Sequence, residues 1–184
     1  MKIEQLISPL DNRYNDKIVD LAINFSESNL NKVRFEIEIE WLIFLCTDGG
    51  KNFPSLSKAH LKNLDLLKVS FSDKSAKRIK SIESKTNHDV KAVEYFIREE
   101  LQKSSNLKNF EHLVHFALTS EDINSLSYAI LLKDAQAIYI KQLDVVVKEI
   151  SKRARAWATI PMLARTHGQA ASPSTLGKEM KVFS

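Results

Sequence analysis

Apolar positions recur along most of this chain at helical spacing. Leu30, Val33, Ile37, Trp41 and Phe44 share one helical face, and Phe35, Ile39 and Leu42 share a second. The same stretch also alternates, with Val33, Phe35, Ile37, Ile39 and Trp41 set between charged residues, which is the strand period. Its length, its glutamates and the stop at Asp48-Gly49-Gly50 favour a helix over 30–46. Two apolar faces on one helix suit burial between neighbours. Pro54 opens a second helix, from Ser55 to Val69, and a third follows over 73–84 with Ala76 and Ile79 in register. Val90, Val93, Ile97 and Leu101 then form a clean stripe behind Thr86-Asn87-His88-Asp89, four residues of capping type. Leu113 to Ala117 reads as a short helical segment.

From Asp122 to Ala158 there is neither Gly nor Pro, and apolar residues from Ile123 to Trp157 stay near one broad face. A single helix of roughly 35 residues is about 50 Å long, which points to an extended bundle. Pro161 ends it. Arg165 to Ser174 reads as a polar loop, and a last helix starts at Thr175. That helix reaches Ser184 without a C-cap, so it reads as cut short. At the other end, residues 1 to about 28 read as an irregular lead-in, with turn chemistry at Ser8-Pro9-Leu10-Asp11-Asn12-Arg13-Tyr14.

Composition narrows the class. Four glycines and four prolines in 184 residues argue for long helices over a β-rich fold. The single cysteine excludes an intramolecular disulfide framework. No apolar run approaches the ~18 residues of a membrane span, and the first residues lack a secretory signal's apolar stretch, so no membrane partner is expected and a cytoplasmic location is the default. The net charge of +4 comes from lysines interleaved with acids, the look of solvated helix faces. A nucleic-acid partner requires a basic patch with aromatics, which the chain lacks.

Three polar clusters sit at helix starts or in the loops before them: 86–89, 119–122 and 165–169. Helix N-termini bind anions through unpaired N–H groups and the positive dipole end, so three such ends with Arg13-Tyr14 suit a polyanionic small molecule. Taken singly, each is read more simply as an ordinary cap. Of the five histidines, His60 and His112 read as exposed. His115, at the edge of the Thr119-Ser120 cluster, suits packing and site-lining equally. His88 and His167 lie in loops beside small polar residues, the better context for proton transfer. Gly168 permits a bend that presents the His167 imidazole. His112 and His115 share a helix face but have no third ligand, so no metal is expected.

At these residues the chain strongly resembles the N-terminal part of the adenylosuccinate lyase family, in the fumarase/aspartase superfamily. The matching pieces run in family order: Ser8 to Tyr14, Thr86-Asn-His-Asp-Val-Lys-Ala-Val-Glu-Tyr95, His115-Phe-Ala-Leu-Thr-Ser-Glu-Asp-Ile-Asn124, and Arg165-Thr-His-Gly-Gln169 with Pro173 to Thr175 and Gly177 to Glu179. The resemblance implies an all-α fold, with an N-terminal helical domain over 1–112 and the first part of a long central helical bundle over 113–184. It implies a cofactor-free C–N lyase that eliminates fumarate from adenylosuccinate, giving AMP. The same family acts on the succinylated carboxamide ribotide of de novo purine synthesis (SAICAR), giving AICAR. Homotetramers with active sites shared among subunits are also implied.

By the same resemblance, His167 is the general acid. Arg13 and Tyr14 hold the nucleotide, Asn87, His88 and Asp89 form a second substrate strip, and Thr119 and Ser120 grip succinyl carboxylate oxygens. Asn12 and Ala170-Ala171-Ser172 depart from commoner residues without removing a proton-transfer group. The family's catalytic base, a serine on a mobile Ser-Ser-x-Met-Pro-x-Lys-x-Asn loop, has no match in these 184 residues. The chain alone is therefore expected to be inactive. Two alternatives are a non-catalytic helical oligomerisation module and a sibling lyase such as argininosuccinate lyase; the Arg13-Tyr14 and 87–95 segments argue against the second.

Overall fold

The computed structural model describes residues 7–184. The first six positions of the expected lead-in, 1–6, lie outside the described residues. Internal contacts divide the chain into two compact units, the first ending at Asp134 and the second spanning Ala135–Ser184.

In the first unit, Ser8 opens a 3-10 turn at Pro9–Asp11. Its hydroxyl accepts from the Leu10 amide, and Asp11 accepts from the Ser8 amide at 3.0 Å. A second 3-10 turn follows at Asn15–Lys17. The rest of the expected irregular lead-in instead contains a short helix, α1 (Val19–Phe25). Its anchor is tertiary: the amide of Asn24, a nearly buried side chain, donates to the Leu131 carbonyl at 2.8 Å. Local pattern carries no trace of such a bond.

Ser26 caps α2 (Glu27–Thr47) by accepting from the Asn29 amide at 3.2 Å. α3 (Lys58–Val69), α4 (Asp73–Thr86) and α5 (Asp89–Lys103) all pack on α2. That central position explains the two apolar faces. Val33, Phe35, Ile39, Leu42 and Leu45 are all buried. The rings of Phe35, Phe71 and Phe96 meet in the core at centroid separations of 5.4, 5.6 and 6.4 Å. The stripe Val90, Val93, Ile97 and Leu101 of α5 is wholly buried, as its spacing requires. Cys46 lies in the same core as a free thiol.

The segment after α5 departs from the expected short helix at 113–117. A 3-10 helix covers Lys108–Leu113, and His115 and Ala117 then take left-handed φ values of 62° and 58°. Non-glycine residues adopt that region at a cost of about 1–2 kcal/mol each, so something must hold them there. The long helix expected from the Gly/Pro-free run is present as α6 (Ser120–Ala156).

In the second unit, the expected loop at 165–174 is a hairpin: β1 (Pro161–Thr166) pairs antiparallel with β2 (Gln169–Thr175). His167 and Gly168 both have positive φ, 53° and 75°, and link the paired residues Thr166 and Gln169. Two left-handed residues in a two-residue link make a type I′ turn, whose twist suits paired strands. Pro173 is tolerated because it faces Leu163 where the register shifts. Thr175 then caps α7 (Leu176–Lys181), accepting from the Lys178 amide at 3.2 Å. The hairpin aside, the described chain is helical, so the architecture is all-α. No helix of the described residues is long and apolar enough to cross a membrane.

Candidate active site

Each half of the 86–89 cluster has its own backbone task. Asn87 ends α4 in the left-handed conformation (φ 50°, ψ 34°), which asparagine tolerates better than most residues. His88 caps α5, its Nδ1 accepting from the Lys91 amide at 3.2 Å. An Nδ1 that accepts carries no proton, so Nε2 is the nitrogen left to meet a ligand. The His88 side chain is about half exposed.

Asp89, at the first turn of α5, is joined to Arg34 of α2 at 2.7 Å. Burial pushes the Asp89 carboxyl up. The Val90 amide, the Arg34 charge and hydrogen bond, and its own amide more than offset this, so it sits below the usual aspartate value. Arg34 is buried, and it also donates to Asn124 of α6 at 3.0 Å and Asn31 of α2 at 3.2 Å.

Thr119 and Ser120 begin α6. The Thr119 amide donates to Asp122 Oδ2 at 2.7 Å, and its hydroxyl donates to the same oxygen at 3.1 Å. Thr119 thus spends its hydroxyl proton on a cap. The Thr119 amide, the Thr119 hydroxyl and then the His115 charge hold Asp122 below the ordinary value, against a small opposing effect of burial.

His115 is drawn inward. Its amide donates to Glu38 Oε2 at 3.1 Å, its Nδ1 lies 2.5 Å from Glu38 Oε1, and its Nε2 lies 3.6 Å from Glu94 Oε1. Both carboxylates are buried, and Lys91 binds the other Glu94 oxygen at 2.8 Å. This grip holds the left-handed backbone at 115. Burial pushes Glu38 up; the His115 hydrogen bond and charge pull it back, and Glu94 adds to the rise, leaving it above the usual glutamate value.

The structure therefore links Asp89, Arg34 and Asn124 through hydrogen bonds, and sets His115 four positions before Thr119 on a fixed turn. Arg13 and Tyr14 are an exposed pair, the guanidinium 5.3 Å from the ring centroid. Among the described residues no hydrogen bond or ion pair joins them to 87–89 or 119–120. His167 belongs to the second unit and stands exposed at the tip of the hairpin. His112 is exposed, but His60 is partly covered: it packs on Phe110 at 5.1 Å and its Nδ1 accepts from the Ser57 amide. Among the described residues no set of three or more His, Cys, Asp or Glu is placed to hold a metal.

Sequence reasoning passed over Arg34, Glu38, Glu94 and Asn124. Arg34 and Glu38 lie four apart on a helix already expected to bury two faces, which was the available signal. Glu94 stands one turn from Val90 within a stripe of buried residues, a second such signal.

The backbone follows the fold of fumarate lyases. The crystal structure of a fumarate lyase from Mesorhizobium sp. BNC1 matches 91% of this chain and 36% of that one, with a TM-score of 0.70 at 18% identity. A 3-carboxy-cis,cis-muconate lactonizing enzyme from Pseudomonas putida matches 87% of this chain and 35% of that one, with a TM-score of 0.67 at 16% identity.

The lyase family's sequence profile matches residues 12–184, and the chain belongs to that family. Within it, the chain is similar to the N-terminal portion of adenylosuccinate lyases. It is 45% identical to the adenylosuccinate lyase of Haemophilus influenzae over 176 residues, 95% of this chain and 39% of that protein. It is also 45% identical to that of Escherichia coli K12 over 179 residues, again 95% of this chain and 39% of that protein. The chain thus spans about 39% of the length of these relatives.

Proposed function

We propose that this chain is the N-terminal part of an adenylosuccinate lyase, acting in purine nucleotide biosynthesis on adenylosuccinate and on SAICAR. The observation that carries the proposal is the 45% identity to proteins of that name over 95% of the chain. In the complete protein, residues 1–112 would form the N-terminal helical domain and 113–184 the start of the central bundle. A cytoplasmic location belongs to the same proposal.

The chemistry is a β-elimination. A base takes the proton from the succinyl carbon beside a carboxylate, and the resulting aci-carboxylate concentrates negative charge. Preorganised donors must meet that charge. The electron pair then forms the C=C bond of fumarate as the C–N bond breaks, and the departing nitrogen takes a proton from a general acid. His167 is the proposed acid: a type I′ turn presents its ring beyond the strands. Ser120 and the amides at the start of α6 are proposed to meet a succinyl carboxylate, with the Thr119 hydroxyl exchanging Asp122 for substrate. His88 offers Nε2, Asn87 and Asp89 line the same strip, and Arg13 with Tyr14 holds the nucleotide, a guanidinium matching phosphate oxygens.

The proposed base lies on a serine loop that these residues do not contain, so the chain alone does not turn over. Incubating the purified chain with adenylosuccinate should release no fumarate, yet should shift the imidazole NMR signals of His88 and His167. Fumarate release would refute the inactivity, and imidazole signals indifferent to saturating adenylosuccinate would refute the site. Reading the gene beyond codon 184 into the serine loop tests the relation to the longer protein.

Exposed apolar residues on α6 favour a second property, self-association. In the first unit Leu126, Tyr128 and Leu132 are exposed, and in the second Tyr139, Ile140, Leu143, Val145 and Val146. A groove of about 680 Å³, mostly apolar but with Glu36, Glu40 and Lys68 also in its lining, runs between Trp41 and Phe44 of α2 and Leu126 and Ile130 of α6 and adds to the uncovered apolar surface. Such surface is covered in assemblies. A homotetramer is proposed for the full-length protein; a strictly monomeric chain in size-exclusion chromatography would count against it, and against the oligomerisation-module alternative.

A further inference from the structure

We propose that Arg34 is a positioning residue that locks the start of α5 to the start of α6, and with them the two strips assigned to substrate. The inference rests on the proposed function for the word substrate, but not for the geometry. Arg34 is 3% exposed and lies on α2, between the two helix starts. Its NH2 donates to Asp89 Oδ2 at 2.7 Å, its Nε to Asn124 Oδ1 at 3.0 Å and its NH1 to Asn31 Oδ1 at 3.2 Å. All three nitrogens of one rigid plane are therefore engaged, each in a different direction. A guanidinium fixes its partners' mutual geometry because its donors cannot turn independently, unlike the rotatable ammonium of lysine.

Stability alone does not account for this arrangement. A buried ion pair is often no more stabilising than apolar residues of the same volume. What the fork supplies is register. Asn31, itself buried, braces the guanidinium from its own helix, while the outer two bonds reach α5 and α6. Asp89 is directly before Val90 and after His88, and Asn124 is one turn beyond Ser120. A shift of either helix start therefore pulls on the other through Arg34.

Charge gives the same residue a second effect. The Asp89 side chain is about half exposed beside His88, at a helix start proposed to meet an anion. A bare carboxylate there would repel that anion. The Arg34 charge, set 2.7 Å behind it, cancels the repulsion while staying out of solvent.

The test uses the 184-residue chain and native-state amide exchange at 91–94 and 124–127, referred to the core amides of Ile39 and Leu64 to remove global opening. Asp89→Asn should speed exchange about tenfold at 124–127 as well as at 91–94, although among the described residues the hydrogen bonds that join Asp89 to α6 run through Arg34. Asn124→Ala should do the same at 91–94. Arg34→Lys should keep the Asp89 carboxyl titrating low in carbon-detected NMR, because the charge remains, yet lose the coupling between the segments.

Exchange confined to each variant's own segment, or a wild-type pattern in Arg34→Lys, overturns the proposal. Adenylosuccinate is then added to the wild-type chain. Coupling without protection by adenylosuccinate refutes the proposed function and leaves the positioning role intact; protection without coupling does the reverse.

Discussion

The Glu38 carboxylate and the His115 imidazole, 77 positions apart in sequence, meet at 2.5 Å, with the His115 amide also bound to Glu38. One buried acid thereby sets both the ring and the backbone of a residue that would otherwise avoid left-handed φ. The turn leading into Thr119 and α6 depends on that pair.

Replacing Glu38 by alanine removes both acceptors and leaves the largely covered His115 imidazole with only its longer 3.6 Å contact to Glu94. The expected loss is about 3 kcal/mol, the scale for breaking a buried ion pair from one side. Equilibrium urea unfolding measures it; a loss below about 1 kcal/mol would show that His115 finds other partners.

The pH dependence of the same residue has a definite sign. Glu38 is raised above 4.5 in the folded chain. Its contribution is whole below that unfolded value and is lost as pH rises through the higher folded value, because the folded state then holds the extra proton. Relative to Glu38→Gln, the wild type should lose stability between about pH 4.5 and the elevated folded value. A wild-type-minus-variant difference that stays flat over that window would contradict the assignment.

Asp122 has the opposite sign. Its folded value is depressed below 3.8 by the Thr119 amide and hydroxyl. Its stabilisation is present above 3.8 and lost as pH falls through the lower folded value. Asp122→Ala should therefore lower the thermal midpoint at neutral pH, and the gap to wild type should close in strong acid. Equal gaps at both ends of the range would show that the ionised carboxylate contributes nothing.

Gly177 has no room for a side chain. A Cβ there would stand 2.3 Å from the Ala154 carbonyl oxygen and 2.6 Å from Ala158 backbone atoms. Backbone cannot swing aside as a flexible side chain does, so Gly177→Ala should cost at least about 2 kcal/mol of second-unit stability. Gly168 is the contrast. Open space surrounds it, and its φ of 75° alone makes Gly168→Ala cost about 1 kcal/mol. Proteolysis of the hairpin reads both changes.

Much of the helical fold was legible because local spacing and burial agree. The stripe from Val90 to Leu101 and the Gly/Pro-free run that becomes α6 needed no tertiary knowledge. The misses have one cause. At Asn24, at His115 and in the hairpin the deciding contact lies elsewhere in the chain or across a turn. The candidate site divides the same way. Capping residues at 86–89 and 119–122 announce themselves by type. Arg34 and Glu38 sit in an alternating charged series whose only hint of burial is the helix with two apolar faces that carries them, and their partners on α5, α6 and the His115 turn come from elsewhere in the chain.

The lone thiol in the first unit's core has a practical consequence. Cys46 is 9% exposed, and burial raises its thiol above the ordinary value, so little of the reactive thiolate forms while the core is closed. A maleimide or a disulfide reagent will therefore label the protein only as fast as α2 pulls away from its neighbours. The molecule carries its own chemical stopwatch for that opening, with one hand and no second cysteine to blur the reading.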